Sequence, residues 1–118
     1  MARRDSSLLP QATLPDFVTF AAHFFETLML FMVIETFRGG DPIPVYRRFR
    51  DRGRLMPEGV VYWGSWVTED WHRCFQIMES PNRLLLDQWI SQWADIADFE
   101  VISVMTSADA AAAIAPRL

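Results

Sequence analysis

"FFETLMLFMVIETF", residues 24–37, joins two hydrophobic periods end to end, and the point where they meet decides the fold. Phe17, Phe20, Ala21, Phe24 and Leu28 recur at helical spacing, the apolar stripe of an amphipathic helix. Asp16 stands just ahead of it, where a carboxylate accepts from the free N–H groups of a first turn. From Met29 the character changes. "MLFMVIETF" is rich in β-branched and aromatic residues, and the turn-forming "RGGDP" follows at 38–42. The spacing predicts a helix ending at Leu28 and a strand over 29–37. Residues 1–28 are then an N-terminal extension and 29–118 the domain.

Residues 17–34 are almost continuously apolar, near the lower limit for a membrane span. His23 and Glu26 sit near the middle, however, and a central carboxylate costs about 3 kcal/mol on insertion. "MARR" opens the chain as a signal peptide would, but no small-x-small cleavage site follows the apolar run. The expectation is no membrane partner and a cytoplasmic protein. A net charge of −4 lacks the basic field that nucleic acid requires. With 118 residues, 51% apolar and 22% charged, the chain is long enough for one modest core and too hydrophobic for disorder. Its single cysteine, Cys74, forms no intrachain disulfide and reads as a small buried hydrophobe within a strand.

Beyond the first strand, Asp41-Pro42 opens a helix whose apolar face is Val45, Tyr46 and Phe49, and Gly53 ends it. "VVYWGSWV" (60–67) and "RCFQIME" (73–79) form a hairpin about "TEDW". Ser80-Pro81 caps a second helix carrying Leu85, Leu86, Trp89, Trp93 and Ile96 on one face, with Leu84 off it. A last strand covers 98–105, and a short helix capped by Ser107 covers 107–115. The order β-α-β-β-α-β is that of the split βαβ, ferredoxin-like fold, an α+β class with a four-stranded antiparallel sheet. Alternation divides strand two into Val61, Trp63 and Ser65 against Val60, Tyr62, Gly64 and Trp66. Both faces of every strand are largely apolar, whereas a sheet with one wet face shows polar residues there. A second copy laid sheet against sheet, as in a dimeric α/β barrel, is the simplest cover. The N-terminal helix offers a partial one.

"MLFMVIETF", "VYRRFRDRGRLMPEGV" and "FQIME…LLDQWISQWADIADFEV" resemble a family of short bacterial proteins of unknown function, over about residues 29–115. That resemblance implies a ferredoxin-like, dimeric α/β-barrel fold and no particular chemistry. The resembling proteins begin at the position of Met29, so residues 1–28 depart from their pattern. The wider superfamily includes cofactor-independent monooxygenases, whose catalytic motifs are not matched here.

Glu35 is the first candidate for chemistry. If Phe31, Val33, Glu35 and Phe37 face a barrel interior, the carboxyl lies among aromatics and desolvation makes it a general acid or base. Trp63, Ser65, Gln76 and Ser103 are its expected pocket neighbours. The alternative is a wetted strand end with Glu35 paired to Arg38. His72 is a candidate proton shuttle, but Glu69, Asp70, Trp71 and His72 are successive turn residues without metal-ligand spacing. Arg47, Arg48, Arg50, Arg52 and Arg54 form a basic cluster whose default reading is a solvated face with local ion pairs and whose alternative is a site for an anionic ligand or acidic partner. Trp89 and Trp93, four apart, either fill core or flank an aromatic ligand. Three functions fit: a homodimer that binds or transforms a small hydrophobic molecule without metal, nucleotide or other cofactor; a non-catalytic interaction dimer; and a cofactor-independent oxygenase.

Overall fold

The computed structural model describes residues 28–118. The Phe-striped helix expected over 17–28, with His23 and Glu26, lies outside the described residues but for Leu28. From Met29 the chain runs β1 (Met29–Phe37), a 3-10 turn (Arg38–Gly40), α1 (Ile43–Arg52), β2 (Val61–Val67) and β3 (Arg73–Ser80). It continues through α2 (Arg83–Ser91), β4 (Ala97–Val104), α3 (Ser107–Ile114) and a 3-10 end (Ala115–Arg117). The four strands form one sheet in the order β2-β3-β1-β4, with every neighbouring pair antiparallel. The architecture is α+β.

Register sorts the two sheet faces. Phe31 stands opposite Met78 and Ser103, Val33 opposite Gln76 and Val101, and Glu35 opposite Cys74 and Phe99. This set faces the helices. Phe31, Val33 and Met78 close into one core with Val60, Leu86, Trp89 and Trp93, and Val45 of α1 packs on its edge. The sequence placed Phe31, Val33, Glu35 and Phe37 toward a sheet-to-sheet barrel interior. They lie instead between sheet and helices within one chain. The outer face carries Leu30, Met32, Ile34, Phe75 and Ile77, half-buried, with Trp66 64% exposed.

Two local features depart from simple patterning. β2 contains a bulge: Tyr62 pairs with Met78 and Gly64 with the next residue, Ile77, so Trp63 is the extra residue. The bulge puts Tyr62 and Ser65 on the same face, their hydroxyls 2.6 Å apart. It turns Trp63 outward, where the indole N–H donates to Glu79 Oε1 at 2.8 Å. The expected set of Val61, Trp63 and Ser65 is therefore split. The caps of the later helices also sit elsewhere. Asn82, not Ser80, caps α2, its Oδ1 accepting from the Leu85 N–H at 2.7 Å. Ser80 is fully buried and its hydroxyl donates to the Asn82 carbonyl. Thr106, not Ser107, caps α3 through the Asp109 N–H. Asn and Thr win because an extended backbone just outside the first turn aims the side chain at those N–H groups. Asp41 does bond the Ile43 N–H at the start of α1, and Gly53 ends that helix at φ 72°.

Leu86 is fully buried under the sheet and Leu84, two residues earlier, is 67% exposed. Leu86→Ala is expected to cost about 2–5 kcal/mol in urea unfolding. Leu84→Ala should stay within about 0.5 kcal/mol.

Candidate functional site

At the Phe31 end of β1 the helix-facing side buries Phe31 and its neighbour Met78. At the Glu35 end a cavity of about 120 Å³ lies between the sheet, α1 and the tryptophans of the second helical segment. Each side chain arrives by a separate route. The pleat of β1 points Glu35 inward, between buried Val33 and Phe37. β3 brings Cys74 and Gln76 from the next strand, and the β2 bulge brings Ser65. α1 contributes Tyr46 and Phe49 as the roof, with Tyr46 tilted against Phe37 at a 6.3 Å ring distance. Trp89 and Trp93 close the side below α2.

Glu35 is 6% exposed. Gln76 Nε2 donates to its Oε1 at 3.0 Å. No donor among the described residues reaches the second oxygen. Loss of water pushes the carboxyl up to about 7, against the opposing pull of the Gln76 bond and the Arg54 charge. A proton on Glu35 is therefore exchangeable near neutrality, the condition a general acid or base requires. Burial also pushes the Cys74 thiol up to about 11, with the Glu35 charge adding to it. That thiol is a wall atom, not a nucleophile. The Tyr46 phenol is raised in the same way, by burial and by Cys74 and Glu35.

Arg54 holds the rim. It follows Gly53, where the left-handed backbone turns the chain off α1, and Leu55 is also left-handed at φ 61°. The Arg54 carbonyl accepts from the indole N–H groups of Trp89 and Trp93, at 2.9 and 3.2 Å. Its guanidinium lies 3.6 Å over the Tyr62 ring and 5.0 Å from the Phe49 centroid.

Of the residues expected in the pocket, Glu35, Ser65 and Gln76 meet there. Trp63 and Ser103 do not. Trp63 is on the outer face, and Ser103 stands exposed opposite Phe31, at the far end of the sheet from Glu35. The alternative pairing of Glu35 with Arg38 is not made: Arg38 reaches Asp98 and the carbonyls of Ala94 and Asp95. His72 sits in the exposed β2–β3 turn with Asp70 Oδ2 3.5 Å from its Nδ1. Among the described residues no three His, Cys, Asp or Glu side chains converge as a metal site. No described helix is long and apolar enough to cross a membrane. Tyr46 and Arg54 were not singled out from sequence as pocket residues. Tyr46 on the apolar face of α1 was an available signal. Arg54 was hidden in its basic cluster, which the fold takes apart: Arg48 forks onto Asp95, and Arg50 pairs with Asp51.

Residues 29–118 match the model of a protein family described as a domain of unknown function (DUF3303). No curated protein and no solved structure matches the chain.

Burial of Glu35 sets a pH dependence of stability. The folded state holds its proton to about 7, the unfolded state only to about 4.5. Between those values the folded state binds more protons, so stability falls as pH rises through the window. Glu35→Gln keeps the bond from Gln76 and removes the charge. It should match wild type near pH 4.5 and exceed it by roughly 3 kcal/mol at pH 8 in urea titrations. Parallel pH profiles for the two proteins would show that Glu35 is not held neutral.

Proposed function

The chain belongs to this family of unknown function, and from that premise we propose that it binds, and through Glu35 acts on, a small hydrophobic molecule. The observation that carries the proposal is a nearly buried carboxyl, with one oxygen unbonded among the described residues, at the wall of an apolar cavity. A structural role alone leaves that group unexplained, because a neutral, fully bonded side chain would pack there at lower cost. The volume suits a ligand of about one six-membered ring; a dry cavity of roughly 150 Å³ accommodates benzene. Tyr46, Phe49, Trp89 and Trp93 provide apolar walls, and Gln76 orients Glu35 by holding one oxygen. The acid–base step requires no metal or nucleotide.

The same proposal includes a ferredoxin-like fold and a homodimer through the outer sheet face. β1-α1-β2-β3-α2-β4, with strands in the order β2-β3-β1-β4, supports the first. The second is supported by Val61, Trp66 and Ile102, which are 49%, 64% and 42% exposed around half-buried Phe75 and Ile77. An apolar sheet face of this kind is normally covered. A second copy brings an equally apolar face, giving a dimeric α/β barrel. These exposed residues also favour a second reading, a purely structural dimer, which assigns no work to Glu35. Oxygen uptake with quinols would distinguish a cofactor-independent oxygenase from both.

Native mass spectrometry of the full chain should show the dimer mass. Ile77→Asp, at the centre of the outer face, should give a monomer with unchanged far-UV circular dichroism. A wild-type monomer at micromolar concentration would overturn the dimer. Titration with benzyl alcohol should shift the Trp89 and Trp93 indole N–H resonances saturably, and Ser65→Phe, which fills the cavity, should abolish the shifts. Unmoved resonances in wild type would overturn the pocket.

A further inference from the structure

Arg54 is the described arginine whose environment is not explained by the fold. Arg38, Arg48, Arg50 and Arg83 each pair with an aspartate. Arg47, Arg52, Arg73 and Arg117 are exposed to water. Arg54 is half-buried, and no acceptor among the described residues takes a hydrogen bond from its guanidinium. A guanidinium carries five donors, so that of Arg54 has the capacity to take a further acceptor. Its position is nevertheless held from several sides. Two indoles grip its own carbonyl, and Tyr62 and Phe49 flank the head group. Glu35 lines the same cavity, yet the two groups form no salt bridge. Both groups line one cavity, which a ligand group would share with them.

We propose that the ligand is a ring-sized aromatic carboxylate, its ring against Tyr46 and Trp89 and its carboxylate forked onto Arg54 beside Glu35. This rests on the pocket reading above and adds the chemical class. A planar carboxylate matches the guanidinium fork, and aromatic stacking on Tyr62 holds that fork in one orientation before the ligand arrives. Glu35 lines the same cavity, and one of its oxygens has no donor among the described residues. Protonated, it donates to the bound carboxylate; ionised, it repels it. The groups facing Glu35 are Cys74 and Gln76 from β3, Tyr46 from α1 and Arg54 from the following loop. The thiol stays protonated to about 11 and the phenol is also raised, so between pH 5 and 9 Glu35 alone changes charge at this site.

The test compares benzoate with benzyl alcohol on the full chain by calorimetry and by the indole N–H shifts. At pH 6 benzoate should bind about tenfold more tightly than benzyl alcohol, as one forked ion pair implies. Arg54→Met retains the apolar stem and should lose about tenfold for benzoate while leaving benzyl alcohol within about twofold. Arg54→Lys should fall between, and serves if the methionine variant does not fold. Wild-type affinity for benzoate should drop about tenfold from pH 6 to pH 8, and in Glu35→Gln it should not. Benzyl alcohol binding without a benzoate preference would overturn the carboxylate assignment and leave the pocket standing. Equal losses of both probes in Arg54→Met would also overturn it, by making Arg54 merely structural. Failure of both probes on wild type would overturn both proposals.

Discussion

One peptide carbonyl, that of Arg54, ties the chain leaving α1 to the second helical segment, and the guanidinium of the same residue rests on Tyr62 of the sheet. The carbonyl accepts from Trp89 in α2 and from Trp93 in the turn that follows it, across 35 and 39 residues of chain. Each such bond contributes on the order of 1 kcal/mol net. Their larger effect is geometric. They fix the exit of α1 against the side of α2 and hold the left-handed pair Gly53 and Leu55, of which the leucine carries a steric cost. Arg48 adds a second tie between the same helices, forking onto Asp95 and reaching the Gln92 carbonyl while its head group lies 5.7 Å from the Trp93 ring. With the helices tied at this end, a cavity remains beside Glu35, while Phe31 and Val33 further along the strand are closed into the core.

That cavity is what gives Glu35 its character. A carboxyl in a core that closed on it would need full hydrogen bonding or would be replaced by an apolar residue. A carboxyl at a strand end open to water would keep its ordinary acidity. Here burial beside the cavity removes bulk water, one oxygen finds no donor among the described residues, and the opposing effects of Gln76 and Arg54 only partly offset desolvation. Acidity near neutrality is thus a consequence of packing geometry several residues away in space and far away in sequence.

Much of the element plan was readable without coordinates. The strands and helices follow their periods, Gly53 stops α1, and Cys74, Trp89 and Trp93 are buried. Glu35, Ser65 and Gln76 were readable as inward residues because a strand alternates strictly. Trp63 failed because a bulge inserts one residue and inverts the pattern behind it, and "YWGS" carries no signal that names which residue is extra. Ser103 failed differently: it lies on the correct face but at the wrong height, since register along the sheet depends on how β4 pairs with β1. Arg54 looked like one of five arginines because its distinguishing contacts are with Tyr62 in β2 and two tryptophans of the second helical segment.

The chain's local chemistry therefore specifies the elements, their order and the inward or outward alternation of each unbulged strand, because these rest on contacts within a few residues. It could not say which of two apolar sheet faces the helices cover, since both faces offer similar hydrophobic gain. Packing chose the face that bears Glu35. That choice moved the carboxyl from an imagined interface between copies to a cavity inside one chain, and placed a pinned arginine beside it.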